Sequence, residues 1–267
     1  MVDAALTYVQ RGTVLIGAEP FNVHNLNDTY RGQILLADGQ VVSAIIKDLD
    51  CRQLANELMA AAMGVASGLP IPTPIIAKVE LGTLGVSRYP LEDNTGHLVF
   101  ASADMNIPNV QQIFFGDPSG QALIREKLVN WSDVGGMYGF DSWIANIDRH
   151  PGNLLFSGKN EVWLIDHGHS FTGPDWSADQ FLPDGQYNNK LAQWLTPFMA
   201  EGRRKEVAGA ASVLPARLNG MLLEKLGEEN YVAGLLVRSD FDALITFLNE
   251  RVTYVPRLAS NALGILI

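Results

Sequence analysis

The sequence is poor in several features that would define other classes of protein. Its 267 residues include one cysteine, Cys51, so no internal disulfide can form and a reducing compartment such as the cytoplasm is expected. Basic residues are also scarce, because 19 Lys and Arg face 29 Asp and Glu for a net charge of -10. Binding to nucleic acid or to an anionic membrane depends on clustered positive charge, so we expect no nucleic-acid or membrane partner.

Long apolar runs are missing as well. No stretch approaches the roughly 20 apolar residues that a membrane helix needs, and the first residues, MVDAALTYVQRG, lack the basic start and apolar run of a secretory signal. Hydrophobic residues nevertheless make up 47% of the chain and charged residues 18%, which is typical of a folded protein with a real core. The length fits an enzyme with two lobes around one cleft.

The most informative stretch is residues 144–171, IANIDRHPGNLLFSGKNEVWLIDHGHSF. In phosphoryl transfer of the kinase type, one loop supplies an Asp that takes the acceptor proton and, five residues later, an Asn that holds a metal ion. A second Asp on the next loop also holds the metal. Asp148, Asn153 and Asp166 have this order. Oxygen ligands of this kind suit Mg²⁺, and Mn²⁺ could replace it.

A predicted hairpin explains how these residues could meet. Two apolar, strand-like segments, 153–156 and 161–165, flank residues 157–160 (SGKN), which have the composition of a turn. Side chains alternate along a strand, so Leu155 shares a face with the Asn of the loop and could form an apolar floor under a nucleotide base. Ile165 is included in the predicted nucleotide site.

The first part of the chain is predicted to be β-rich. Segments 13–16, 30–36 and 41–47 have strand patterns, and residues 37–40 (ADGQ) have the composition of a hairpin turn. Residues 22–29, NVHNLNDT, stand where a kinase would carry a phosphate-covering loop, but they contain no glycine. The sequence therefore does not indicate how the phosphates would be covered.

Lys47 ends the apolar strand AIIK, and the helical pattern at 52–65 carries Glu57 as its only acidic residue. In kinases a helix glutamate pairs with a strand lysine and holds it against the α- and β-phosphates. Ile45 is two residues before the lysine, so it should share its face and line the base pocket. The alternative is a solvent-exposed lysine at a strand end.

Two further strands are predicted at 75–81 and 84–89. The second would lead to a hinge near Arg88, Tyr89 and Leu91, where backbone groups of a kinase would contact adenine. We therefore include these three residues in the predicted nucleotide site.

The predicted fold class is α+β, a two-lobed protein-kinase-like fold. Residues 1–93 would form a small, β-rich N-lobe with one helix, and residues 94–267 a larger, mainly helical C-lobe. Helical patterns at 122–131 and 134–147 precede the first Asp, and a long loop at 167–187 follows the second.

The stretches IDRHPGN and LIDHGHSF resemble the HipA-like kinases and, more distantly, the phosphoinositide lipid kinases. The resemblance implies that Asp148 is the catalytic base, that Asn153 and Asp166 are metal ligands and that His150 contacts the transferred phosphate. Arg149 is expected to brace the loop. The resemblance also implies ATP as cofactor, a Ser or Thr acceptor on a protein, and a toxin–antitoxin setting with a small partner that restrains the kinase.

Other interpretations stay open at this point. A pseudokinase or nucleotide-binding module would keep the fold and transfer nothing, and the missing glycine-rich loop favours it. A metal-dependent hydrolase would use Asp148, His150, Asp166, His167 and His169 as a cluster. The resemblance allows a lipid acceptor, but the acidic charge balance disfavours a substrate in an anionic membrane.

Overall fold

The computed structural model describes residues 6–21, 28–91, 93–107, 118–157, 161–218 and 220–265. Within these residues the protein is a mixed α+β structure, which confirms the predicted class. Strands dominate up to residue 103 and helices dominate beyond residue 118. Most of the predicted phosphate-covering run, at 22–27, and most of the predicted hairpin turn, at 158–160, lie outside the described residues.

Eight strands are described: β1 Gln10–Val14, β2 Glu19–Pro20, β3 Thr29–Leu36, β4 Val41–Lys47, β5 Pro74–Glu80, β6 Gly96–Ala103, β7 Leu154–Phe156 and β8 Val162–Leu164. The first six pair in the order β1-β5-β6-β4-β3-β2, and β1 also pairs with β3. Five of these strands therefore close into a barrel, and β2 is attached to β3. A closed barrel was not predicted, because alternation within a strand shows which face is buried but not whether the sheet closes.

The barrel decides which side chains of β4 face outward. Ala44 and Ile46 are fully buried in the barrel core. Because neighbouring side chains of a strand point to opposite faces, Ile45 and Lys47 must point away from this core. This alternation directs the lysine to the side of the barrel on which helix α1 lies.

The segment after β5 differs from the prediction in two ways. Residues 84–89 do not form a strand, because Val86 packs into the barrel core from a loop. The partner of β5 is instead Gly96–Ala103, so the barrel contains residues on both sides of the boundary predicted at residue 93. The chain beyond residue 93 therefore begins with a strand, not with the helical structure that we predicted. A strand of sequence GHLVFASA has few β-branched residues to reveal it.

The described helices are α1 Cys51–Ala66, α2 Pro118–Asn130, α3 Val134–Trp143, α4 Lys190–Leu195, α5 Glu201–Ser212, α6 Leu214–Arg217, α7 Leu223–Glu229, α8 Val232–Leu235, α9 Arg238–Arg251 and α10 Val255–Ala262. Short 3₁₀ helices lie at Pro151–Asn153, Ala178–Gln180, Thr196–Phe198 and Val252–Tyr254. No helix among these combines the length and hydrophobicity that a membrane span requires.

Helix α1 is the central helix of the structure. It begins at the N-cap Asp50, whose carboxylate accepts a hydrogen bond from the Gln53 amide at 2.9 Å. Strands β5 and β6 contact it on one side, and α7 and α8 contact it on the other. Most of its residues are buried, including the polar Asn56 and Glu57. Because it is enclosed in this way, α1 can hold polar side chains in fixed positions.

Helix α3 leads into the loop that carries Asp148. Gly135 and Gly139 let it pack closely on α5, since a Cβ at Gly135 would lie 2.5 Å from the Ala210 Cβ. The helix ends at Trp143, earlier than the predicted Ile147, because the chain turns at Ala145 with a left-handed φ of 47°. This early turn releases the following loop toward the cleft.

Candidate active site

A cleft of about 290 Å³ separates the barrel from the loops around β7 and β8. Most of the predicted site residues line it, namely Ile45, Lys47, Glu57, Asp148, His150, Asn153, Leu155, Ile165 and Asp166. The volume is at the small end of the usual range for ligand pockets. Residues separated by more than 100 positions in sequence are thereby brought to one site.

Lys47 lies between two carboxylates in this cleft. Its Nζ is 2.7 Å from Glu57 Oε1 and 3.0 Å from Asp166 Oδ1. Burial on its own would lower the lysine pKa, but Asp166 and Glu57 together outweigh it and raise the pKa above its usual value. The lysine is therefore charged throughout the physiological range and fixed in position.

Glu57 joins the lysine to the loop that follows β8. While Oε1 accepts from Lys47, Oε2 accepts from the backbone N–H of His167 at 2.9 Å. Burial would raise the pKa of Glu57, but Lys47 and His167 lower it well below its usual range. The predicted pairing of Lys47 with Glu57 is present, and the contact with the loop after Asp166 is an addition that the sequence did not indicate.

Asp166 adopts a left-handed backbone conformation, which is uncommon outside glycine although aspartate tolerates it better than most residues. Its φ is 58°, in the left-handed region, which costs on the order of 1 kcal/mol outside glycine. Its side chain remains 42% exposed, although Oδ1 contacts Lys47. Backbone strain of this kind persists only where neighbouring contacts enforce it, and here it directs the carboxylate toward the open cleft.

Arg149 is a fully buried brace of the loop that carries Asp148. Its guanidinium donates to both carboxylate oxygens of Asp141, and Nη1 donates to the carbonyl oxygens of Asn153 at 3.2 Å and Ile165 at 2.8 Å. One cation thus connects the loop before β7 to the loop after β8. As expected, Arg149 braces the loop, and it is not among the residues that line the cleft.

Asp148 is held by backbone and side-chain contacts. Its N–H donates to Asn146 Oδ1 at 3.0 Å, and its carbonyl accepts from Asn153 Nδ2 at 3.1 Å. The His150 Nε2 is 3.9 Å from Asp148 Oδ2. Burial lowers the pKa of His150, although Asp148 and Asp166 oppose this. Because His150 Nδ1 accepts from the Gly152 N–H at 3.0 Å, the neutral ring carries its proton on Nε2, the nitrogen closer to Asp148.

Lys190 is a cleft residue that the sequence analysis missed. Its Nζ contacts Asp148 Oδ1 directly, and it lines the cleft. The next residue is anchored to the loop that carries Asp148, since the Leu191 N–H donates to the Arg149 carbonyl. A signal was present in the sequence, because Asn189 is a good N-cap and accepts from the Ala192 N–H. A helix start does not reveal, however, what the next side chain contacts.

The predicted hinge residues Arg88, Tyr89 and Leu91 do not line the cleft in the described part of the chain. They belong to the loop between β5 and β6, at the end of β6 that lies away from the cleft. The opposite end of β6 and the chain after it line the cleft, through Ser102, Ala103, Asp104, Met105 and Ile107. The prediction failed because the loop at 84–89 was taken for the last strand, whereas the chain reaches the cleft after β6.

The donor atoms of the cleft fit a hard divalent cation. The Asn153 side-chain N–H donates a hydrogen bond to the Asp148 carbonyl, which leaves the amide oxygen free to bind a metal ion. Asp166 supplies a carboxylate to the same cleft. Oxygen ligands of this type suit Mg²⁺. Among the described residues, no three His, Cys, Asp or Glu side chains are grouped to hold a metal, so the histidine-rich hydrolase cluster is not assembled.

Comparisons with known proteins agree with this geometry. A family model described as HipA-like kinase matches residues 36–214. Among solved structures, a proinflammatory kinase from Helicobacter pylori, CtkA, superposes with a TM-score of 0.54 and 14% sequence identity, over 95% of this chain and 99% of that chain. At that identity the likeness shows the fold alone. No curated protein matches the sequence.

Proposed function

The chain belongs to the HipA-like kinases, and we propose that it transfers the γ-phosphoryl group of ATP, with Mg²⁺, to a Ser or Thr hydroxyl of a protein. Membership of this family supports a phosphotransferase that uses ATP and a divalent metal. The choice of Mg²⁺ and of a protein acceptor goes further. It rests on the oxygen ligands of the cleft and on the scarcity of basic residues for contact with an anionic membrane.

One observation carries the proposal. The same cleft holds Lys47, fixed between two carboxylates, and Asp148, on a loop braced by a buried arginine. Kinase catalysis consists mainly of positioning and charge stabilisation, so a charged lysine and a carboxylate held across one pocket are its essential parts.

Each residue has a defined part in the proposed reaction. Lys47 binds the α- and β-phosphates, and Asn153 and Asp166 would hold a divalent ion, which neutralises charge on the phosphates. Asp148 accepts the proton of the acceptor hydroxyl while the new O–P bond forms and the bond between the γ-phosphorus and the ADP oxygen breaks. Leu155, Ile45 and Ile165 would form the apolar walls around the base.

Lys190 and His150 complete the acceptor end of the cleft. Lys190 contacts the base Asp148, and His150 presents an N–H on the same side. Both would face the phosphoryl group as it moves toward the acceptor, where positive charge and N–H donors stabilise the transition state. The two lobes would be the barrel, which includes β6 and so extends beyond the predicted boundary at residue 93, and the mainly helical part of the chain. A small antitoxin-type partner would restrain the kinase.

The test is incubation of the purified protein with Mg²⁺ and γ-labelled ATP, alone and with a cell lysate. Asp148→Ala and Asp166→Ala are run in parallel. We expect label on protein that both substitutions abolish, and phosphoamino-acid analysis that finds phosphoserine or phosphothreonine. Label found on lipid would mean that the acceptor is a lipid and not a protein.

Thermal stabilisation by ATP separates the remaining outcomes. If ATP with Mg²⁺ stabilises the protein, if Asp166→Ala weakens this effect, and if no label appears, the protein is a nucleotide-binding pseudokinase. If neither label nor stabilisation is found, the kinase proposal fails.

A further inference from the structure

Asn56 is a buried polar residue that the proposed mechanism does not use. It is fully inaccessible to solvent and lies in the middle of α1, directly before Glu57. A buried amide is costly unless every polar atom has a partner, and Asn is a weaker helix former than the Ala residues around it. The position of this residue therefore calls for a specific explanation.

The contacts of Asn56 all lead to the segment that follows Asp166. Its Nδ2 donates to the carbonyl oxygens of Gly168 at 2.9 Å, Ser170 at 3.2 Å and Gly173 at 3.1 Å, so one of its two N–H bonds is shared between two carbonyls. Its Oδ1 accepts from Trp176 Nε1 at 2.8 Å. One amide side chain thus gathers three backbone carbonyls, and an indole N–H fixes which way the amide faces.

The segment that Asn56 contacts has a strained backbone, which persists only where neighbouring contacts hold it. Phe171 and Thr172 both have left-handed φ values, of 57° and 75°, and Gly173 has a φ of 147°. The Phe171 N–H donates to the Ile144 carbonyl at 2.7 Å, and the Thr172 N–H to the Ala145 carbonyl at 3.2 Å. The segment is therefore held on one side by the loop that leads to Asp148 and on the other side by Asn56.

We propose that Asn56 is a positioning residue that couples helix α1 to the metal-binding loop, so that Lys47 and Asp166 are placed together. Glu57 and Asn56 are consecutive, and consecutive side chains of a helix diverge by about 100°. One therefore reaches Lys47 while the other reaches the carbonyls after Asp166. A shift of α1 would move both the phosphate-binding lysine and the metal-binding carboxylate.

This inference rests on the proposed function for its consequence, but the coupling itself can be measured without nucleotide. The principal variant is Asn56→Asp, which has the same shape and keeps an acceptor for Trp176 but replaces the amide donor by a carboxylate that repels three carbonyls. Trp176→Phe is a second variant: it removes the indole donor and part of the buried ring that packs on Arg52 and Phe181, but it leaves the amide donor of Asn56 in place. Leu54→Ala is the matched control, since Leu54 is equally buried on α1 and, two residues away, lies on a different face.

The first measurement is hydrogen exchange of the amides in residues 167–173 in the ligand-free protein. We expect faster exchange in Asn56→Asp and a smaller increase in Trp176→Phe. Leu54→Ala should show no increase, even where it lowers the thermal stability as much as Asn56→Asp does. Unchanged exchange in both coupling variants would overturn the proposal.

The second measurement is the Mg²⁺ concentration needed for half-maximal binding of ATP. Residues that orient metal ligands typically change metal affinity by about 10- to 100-fold, so we expect an increase of at least roughly tenfold in Asn56→Asp and no change in Leu54→Ala. Faster exchange with an unchanged Mg²⁺ requirement would reduce Asn56 to a structural residue. If the unaltered protein binds no ATP, the proposed function fails, and the exchange measurement alone decides whether the coupling exists.

Discussion

Each end of the cleft holds an ion pair between a lysine and a carboxylate, but the two pairs differ in their surroundings. Lys47 is 12% exposed and lies between Glu57 and Asp166, whereas Lys190 is 60% exposed and pairs, among the described residues, with Asp148 alone. The first lysine comes from the barrel and the second from the start of α4. The comparison shows how one site can combine a fixed charge with a movable one.

Burial is the physical cause of this difference. Removing one partner of a buried ion pair leaves a charge without water or counter-ion, which costs about 3–5 kcal/mol. An exposed pair contributes about 0–1 kcal/mol, because water competes for both charges. Lys47 is therefore part of the folded structure, while Lys190 can exchange Asp148 for a bound phosphoryl group at little cost.

The largest effect is expected from Lys47→Met. This change leaves Glu57 buried without its cation, so we expect the free energy of unfolding to fall by about 3–5 kcal/mol and ATP binding to be lost. Denaturant unfolding and calorimetric titration with ATP measure the two effects. Lys190→Met is the matched control and should cost less than about 1 kcal/mol. Equal losses of stability would contradict the contrast between the pairs.

The second effect concerns catalysis at the exposed end. We expect Lys190→Met to lower kcat by about 100-fold, in the range found when one transition-state donor is removed, with little change in KM for ATP. Lys190→Arg keeps the charge and should retain part of the activity. Steady-state kinetics with the identified acceptor provides the measurement. A raised KM for ATP with an unchanged kcat would assign Lys190 to nucleotide binding instead.

The smallest effect is the pH dependence of stability, to which the buried pair should contribute more than the exposed pair. The pKa of Glu57 is lowered on folding, so its contribution is present above the unfolded value of about 4.3 and is lost as the pH falls further. The pKa of Lys47 is raised, so its contribution is present below about 10.4 and is lost at higher pH. The free energy of unfolding, measured across this range, should therefore fall at the acid end (the acid limb) and at the alkaline end.

Glu57→Gln is the variant that tests this assignment. It should remove most of the acid limb that the pair produces, whereas Lys190→Met should leave the curve almost unchanged. If Lys190→Met flattened the acid limb as strongly as Glu57→Gln does, the exposed pair would be responsible for the pH dependence of stability.

Local sequence patterns predicted much of the end of the cleft that holds the buried Lys47. The order of Asp148, Asn153 and Asp166, the strand ending at Lys47 and the lone acidic residue of the next helix are features of short segments. The alternation of β4 and the hairpin of β7 and β8 then bring these residues to one cleft. Segments of this kind can be interpreted one at a time, because their periodicity reflects which face is buried.

The other features depend on pairing between distant segments. The hinge was placed at 88–91 because 84–89 resembles a strand, but pairing of β5 with β6 decides which end of the sheet meets the cleft. Lys190 lies 42 residues beyond Asp148 along the chain, and its contact exists only because α4 is anchored to the loop that carries Asp148.

The sequence by itself therefore determined the chemical groups of the site and their order along the chain, since spacing and side-chain alternation are local properties. Only the tertiary structure decided that five strands close a barrel, that Lys190 meets Asp148 and that Asn56 fastens the strained segment after Asp166. Each of these is a contact between segments far apart in sequence, and its geometry is set by the packing of the whole core.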